Sequence, residues 1–223
     1  MHRQPSLFGV EASDPTPADL AGLLAGPAEL GRMGGTARVS VVVDAAWRVH
    51  VLVAELVRRG LTASWEQLGD GRFAVRSAYS TRLSALAAAW SGEGDRKRVP
   101  QPLYLSGHAL RLWVAAAGTA TEAVEPAGAD PAPPDPAAGA EGFALGLGAR
   151  DRACWPAVGA ALRSAGLPAE LLGPRAGGPA YLVTGRRALD RLAELVGPAP
   201  PAVPPGAWPA AAAAAGTPDR ACR

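Results

Sequence analysis

Apolar residues recur along the chain with two spacings, one typical of amphipathic helices and the other of strands. In the first half they predict helices over residues 19–26, 46–59 and 81–90, and strands over residues 39–43 and 72–77. In the second half they predict helices over residues 109–117, 157–165 and 187–196, and strands over residues 142–147 and 180–184. The predicted order is therefore α-β-α-β-α in both halves.

Matching residues indicate that the two halves are copies of one unit. The spaced set Leu56, Gly60, Leu61 and Ala63 recurs without a gap as Leu162, Gly166, Leu167 and Ala169. Repeated units of this kind bury their apolar faces against each other. We therefore expect a duplicated α/β protein.

Composition divides the chain further. The predicted parts are an N-terminal extension (1–16), a first unit (17–90), a linker (91–102), a second unit (103–197) and a tail (198–223). An insertion at 122–141 interrupts the second unit. The insertion and the tail are rich in Pro and Ala and bury too little apolar surface to order themselves, so we expect the insertion to be flexible and the tail to be disordered.

The overall composition excludes several classes of protein. The chain has no Ile, no Asn and one lysine, Lys97, which indicates a GC-rich coding bias. Its formal charge of +2 provides no global field for nucleic acid or anionic membranes, so any basic site must be local. The sequence has neither a signal peptide nor an apolar run long enough to span a membrane, and predicts a cytoplasmic protein. Cys154 and Cys222 lack zinc-site spacing.

Two segments carry a resemblance to a known family. Residues 20–28 (LAGLLAGPA) and 110–118 (LRLWVAAAG) open the two units, and they resemble the helix that names the LAGLIDADG homing endonucleases. This resemblance implies an α/β fold of the α+β type, with two tandem LAGLIDADG-like repeats related by a pseudo-twofold axis. The helices would lie on one side of antiparallel sheets. The two motif helices would pack together, and each would end in a metal-binding acid.

The chain also resembles the WhiA regulator family, whose N-terminal part is similar to a degenerate LAGLIDADG endonuclease. Residues 113–122 (WVAAAGTATE) echo a WhiA-like pattern, and residues 142–197 follow the order of its second repeat. WhiA-like chains continue into a helix-turn-helix domain, whereas a Pro/Ala-rich segment follows here.

The expected metal-binding positions do not hold acids. Alignment of the two motif copies places Pro27 and Ala117 there, and neither can ligate Mg²⁺. The three histidines fit no catalytic motif, Ser106 is a candidate helix cap, and the glycines of residues 31–35 (GRMGG) favour a turn. We therefore expect no enzyme activity, metal or cofactor.

The arginines provide the remaining indication of function. Side chains of a strand point alternately to its two faces. Arg72 and Arg76 are therefore expected on one face of a strand, with Phe73 and Val75 packing on the other. In the LAGLIDADG family the sheet side opposite the helices forms a saddle over DNA. The candidate DNA-binding residues are Arg38, Arg72, Arg76, Arg186 and Arg187.

Three functions follow from these observations. The first is a non-catalytic, WhiA-like scaffold that binds double-stranded DNA in a regulatory role. The second is a protein-interaction or structural module without DNA binding, and the third is an active homing endonuclease.

Overall fold

The protein consists of two α/β units, each with a four-stranded antiparallel sheet. The computed structural model describes residues 13–92, 96–121, 142–174 and 178–210. The helices are α1 (Ala21–Ala25), α2 (Ala46–Arg58), α3 (Ser84–Trp90), α4 (Gly107–Ala117), α5 (Trp155–Ser164) and α6 (Arg186–Val196). The strands are β1 (Glu29–Met33), β2 (Thr36–Val43), β3 (Ala63–Gln67), β4 (Phe73–Ser77), β5 (Gly118–Thr121), β6 (Gly142–Gly146), β7 (Ala169–Leu172) and β8 (Ala180–Thr184).

The two sheets have the same topology. The first has the order β1-β2-β4-β3 and the second the order β5-β6-β8-β7, with every pair antiparallel. Val39, Val41 and Val43 of β2 and Val75 of β4 line the buried face of the first sheet. Phe143, Leu145, Tyr181 and Val183 line that of the second. The predicted fold class is confirmed.

Each unit contains two strands more than the periodicity predicted. The additional strands β1, β3, β5 and β7 are the outer strands of the two sheets. Strands at the edge of a sheet bury less apolar surface, and four of the five residues of β3 are exposed. The predicted turn in residues 31–35 is confirmed at Gly34 and Gly35, which join β1 to β2 with φ of +52° and +81°.

The helix α4 forms the centre of the molecule. Its residues from Gly107 to Ala116 are all buried, as expected of a helix that is apolar on nearly every side. Ser106 caps it by accepting a hydrogen bond from the Ala109 N–H at 3.1 Å, which confirms the predicted capping role.

The first helix, α1, packs directly on α4 at Gly22. A Cβ added to Gly22 would overlap the backbone carbonyl of Ala109. The two motif helices are therefore in backbone contact, as the resemblance implied.

Buried ion pairs connect residues near the N-terminal ends of α1 and α4. The Glu55 carboxylate accepts hydrogen bonds from Arg59 at 2.7 Å and from Arg111 of α4 at 3.0 Å. Arg59 also donates to Asp19, which precedes α1. Burial alone would raise the pKa of Glu55, but the hydrogen bonds from Arg59 and Arg111 hold that pKa below its ordinary value.

The first part of the predicted disordered tail is ordered, so the prediction is wrong for residues 198–210. The reason is Trp208, which is buried and donates its indole N–H to the Gly197 carbonyl at 3.0 Å. The Arg111 guanidinium lies 5.1 Å from the centre of the Trp208 ring. The predicted insertion at 122–141 and residues 211–223 lie outside the described residues.

Among the described residues, no helix combines the length and apolar character needed to cross a membrane.

Replacing Gly22 with Ala should destabilise the protein by about 1–3 kcal/mol or more, because the new methyl group overlaps the main chain of α4. Urea denaturation monitored by circular dichroism measures this loss. Gly69→Ala is the matched control, since an added Cβ there meets no atom within 4 Å. Equal stability of both variants would contradict the backbone contact.

Replacing Trp208 with Ala should lower the free energy of unfolding by about 3 kcal/mol, because a buried ring and its hydrogen bond are lost. Trp65→Ala provides the comparison, since Trp65 is 54% exposed. Urea denaturation of the two variants tests the docking of the tail, which would be refuted if the Trp208 variant were as stable as the wild type.

Candidate nucleic-acid interface

The outer face of each sheet is the side turned away from the apolar core. In β2 this face is identified by exposure, since Val42 is 42% exposed while Val41 and Val43 are buried. The register of the strands then places Arg38 and Ser40 of β2 on the same face as Val42. Arg76 of β4 lies opposite Ser40 and belongs to this face as well.

Arg38 and Arg76 are thus diagonal neighbours on adjacent strands. The Arg38 guanidinium lies 4.9 Å from the centre of the Tyr79 ring. Arg76 pairs with Glu66 of β3 at 2.7 Å, and both side chains are substantially exposed. The two arginines present positive charge in the middle of the first sheet, where an acidic neighbour partly balances it.

Arg72 lies immediately before β4 and is exposed. Its guanidinium pairs with the Asp70 carboxylate at 2.6 Å. Hydrogen bonds between the two groups lower the pKa of Asp70 and raise the pKa of Arg72. Asp70 therefore stays ionised, and Arg72 is paired with it in the free protein.

The predicted alternation in β4 has one local exception. Val75 is buried beneath the sheet, and Phe73 is half-buried there with its ring centre 6.0 Å from that of Trp65. Ala74, however, is buried although it lies on the outer face. Its short side chain is flanked by two larger cross-strand neighbours, Val42 and Glu66.

The outer face of the second sheet is different in chemistry. Thr119, Ala144, Leu182 and Thr184 lie on it, together with Glu170. None of the described strand residues on this face is basic. Among the described strand residues, positive charge on an outer face therefore occurs only in the first sheet.

Arg186 and Arg187 are not on either sheet. Both are exposed in the first turn of α6, beyond the end of β8. Arg186 lies 3.9 Å from Asp190 of the same helix. The two residues thus belong to a helix of the second unit, whereas Arg38 and Arg76 belong to the first sheet.

Two cations that the sequence did not single out lie at the C-terminal ends of the central helices. At the end of α4, Arg48 donates to the carbonyls of Val114 and Ala115 at 3.2 and 3.1 Å, and to that of Gly118 at 2.7 Å. At the end of α1, the ammonium group of Lys97 takes the corresponding place. Each cation also pairs with an acid, Arg48 with Asp44 and Lys97 with Asp151.

These helix ends do not fit a divalent metal. Pro27 and Ala117, at which the resemblance predicts the metal-binding acids, have no ligand atom in the side chain. Within the described ranges, no three His, Cys, Asp or Glu residues converge into a possible metal site. The carbonyls at each helix end already receive hydrogen bonds from Lys97 or Arg48.

Comparison with solved structures identifies the architecture. The chain is similar to the homing endonuclease I-WcaI bound to its DNA recognition sequence, with a TM-score of 0.55 and 10% identity over 82% of this chain and 81% of that one. This chain has a LAGLIDADG-like fold. I-DmoI in complex with DNA and Mn is a more distant match, with a TM-score of 0.39 and 13% identity over 82% of this chain and 96% of that one. No protein-family model matches the sequence, and no curated protein matches it.

Millimolar Mg²⁺ or Mn²⁺ should leave the melting temperature unchanged, because Pro27 and Ala117 offer no ligand. Binding at 100 times the dissociation constant would add about 2.7 kcal/mol of stability, which thermal denaturation detects readily. A melting temperature that rises with Mg²⁺ but not with NaCl at equal ionic strength would contradict this expectation.

Proposed function

We propose that this chain is a non-catalytic LAGLIDADG-type scaffold that binds double-stranded DNA in a regulatory role. The observation that carries the proposal is the diagonal pair Arg38 and Arg76 on the outer face of the first sheet. The fold supports it, since the similar enzyme I-WcaI is bound to DNA in its solved structure.

The ion pairs on this surface are compatible with phosphate binding. Arg72 and Asp70 are both at least half exposed, as is Glu66. Exposed pairs contribute little to stability, so an arginine can exchange its carboxylate for a phosphate at small cost. Phosphate contacts from such arginines give affinity and orientation without reading sequence.

The helix ends favour a function without catalysis. Metal-assisted cleavage needs carboxylates that hold the ion and orient water. Here the aligned positions hold Pro27 and Ala117, and the carbonyls at the helix ends are bound by Arg48 and Lys97, each paired with an acid. The WhiA-like segments at 113–122 and 142–197 support a regulatory role, similar to that of the WhiA family, in the cytoplasm.

A second function is favoured by the second sheet. Its outer face is nearly uncharged, with Thr119, Ala144 and Leu182 in its middle. A saddle that binds DNA along its whole length would carry positive charge on both sheets. A protein-interaction module, in which the outer faces contact a protein partner, fits the second sheet better than it fits the first.

Duplex binding measured by fluorescence anisotropy over a range of salt concentrations separates the two functions. We expect wild-type binding to weaken steeply with salt, because phosphate contacts release counterions. Replacing Arg72 and Arg76 together with Ala should weaken binding similarly on unrelated duplexes and reduce the salt slope by about one unit per contact. A protein-interaction module would show no duplex affinity even at low salt.

A variant that removes a negative charge, and a control arginine outside the first sheet, make this experiment more specific. Glu66→Gln should tighten duplex binding, because it frees Arg76 from its carboxylate partner. Arg163→Ala, in the exposed last turn of α5, is the control and should bind as the wild type does. If the double arginine variant binds as well as the wild type, the first sheet is not the DNA-binding surface.

A further inference from the structure

Lys97 lies in a cage of four oxygen atoms at the C-terminal end of α1. Its Nζ atom is 3.0 Å from the Leu24 carbonyl, 3.1 Å from that of Gly26 and 2.8 Å from that of Ala28. The fourth oxygen is Asp151 Oδ2, at 2.6 Å. The Lys97 side chain is only 7% exposed, so water is largely excluded from the cage.

The oxygens belong to both units. Three are main-chain carbonyls of the first motif helix and the turn that follows it, and the fourth comes from the segment between β6 and α5. An ammonium group has three N–H donors, so the four oxygens share them around one point charge. This arrangement resembles the coordination of an ion more than a set of separate hydrogen bonds.

The size of the cage selects among cations. Its distances of 2.6–3.1 Å are those of charged hydrogen bonds from nitrogen. Mg²⁺ requires oxygens at about 2.0–2.1 Å and Ca²⁺ at about 2.3–2.6 Å, so the cage is too wide for either. It suits an ammonium-sized monovalent cation.

A buried cation also binds the carbonyls at the C-terminal end of the other central helix, α4. Arg48 donates to three carbonyls at the end of α4, pairs with Asp44, and has a side chain only 8% exposed. Positive charge is favourable at a helix C-terminus, where carbonyls have no partner within the helix. Both helix ends are therefore occupied by cations that belong to the chain.

We infer that Lys97 and Arg48 are resident cations, which neutralise the two motif-helix ends and join the units without any metal. The Lys97 cage is in this sense a monovalent cation site filled by the protein itself. Removing the side chain should open a site for a free ammonium ion. This inference does not depend on DNA binding, and none of its readouts involves DNA.

The test is chemical rescue of stability. Lys97→Ala should lower the melting temperature by about 10 °C, because removing one partner of the buried ion pair between Lys97 and Asp151 is strongly destabilising. Ammonium chloride should restore several degrees of this loss, whereas tetramethylammonium chloride at equal ionic strength should not, because that ion is too large and has no N–H donor. The wild-type protein should respond equally to the two salts.

Two further variants define the controls. Lys97→Met removes the charge but fills most of the space of the lysine side chain. Ammonium should therefore not rescue this variant. Arg98→Ala changes the exposed neighbouring cation and should have wild-type stability with no rescue. A Lys97→Ala protein as stable as the wild type, or equally affected by both salts, would overturn the inference.

A measurement on the wild-type protein covers the case in which Lys97→Ala folds in none of these salts. Lys97 is the only lysine, so an amine-reactive label reports on it alone apart from the N-terminal amine. We expect mass spectrometry to find Lys97 unmodified in the folded protein and modified after denaturation. Rapid labelling in the folded state would show that the ammonium is not held in the cage, and would refute the inference.

Discussion

The backbone contact between α1 and α4 is the constraint on which the other features of this protein depend. Because Gly22 has no side chain, the two helices approach until the Ala109 carbonyl occupies the place of a Cβ. This approach places α4 at the centre, where α1, α2 and α6 all pack against it. The ends of the central helices then lie inside the protein, and their unpaired carbonyls and N–H groups need partners other than water. The charged residues of the interior follow from this requirement.

Charges that cross between the units lie at both ends of the helix pair. At the N-terminal end, Glu55 of the first unit binds Arg111 of α4, and Arg111 in turn holds the carbonyls of Val196 and Pro198. At the C-terminal end, Arg48 and Lys97 satisfy helix carbonyls. Burial of such charges is costly unless every polar atom is paired, so each residue is strongly dependent on its partners. The docked Trp208 belongs to the same system, because it covers Arg111.

Sequence periodicity predicted the elements that bury a clear apolar face. The strand at residues 180–184 has its observed bounds, and the helices differ from their predicted limits by a few residues at most. The edge strands were missed because few of their side chains are buried. Their apolar and polar residues therefore do not alternate, as in β1 (ELGRM). The tail was misjudged for the opposite reason, since one aromatic residue, Trp208, outweighs a composition that otherwise predicts disorder. The two motif helices were found because residues 20–28 and 110–118 resemble the motif of the family, and the backbone contact at Gly22 explains why a small residue stands there.

The candidate site was less accessible to sequence reasoning, because its partners come from distant parts of the chain. Alternation placed Arg76 on a face but could not show that Glu66 pairs with it across β3 and β4. Arg48 and Lys97 were missed because they bind main-chain carbonyls about 70 residues away, which no side-chain motif marks. The one available signal was the use of Lys97 in a chain that otherwise uses arginine. Four oxygens that converge on a point suit a compact ammonium, whereas a planar guanidinium suits the spread carbonyls of α4. The geometry of each helix end thus accounts for which cation it holds.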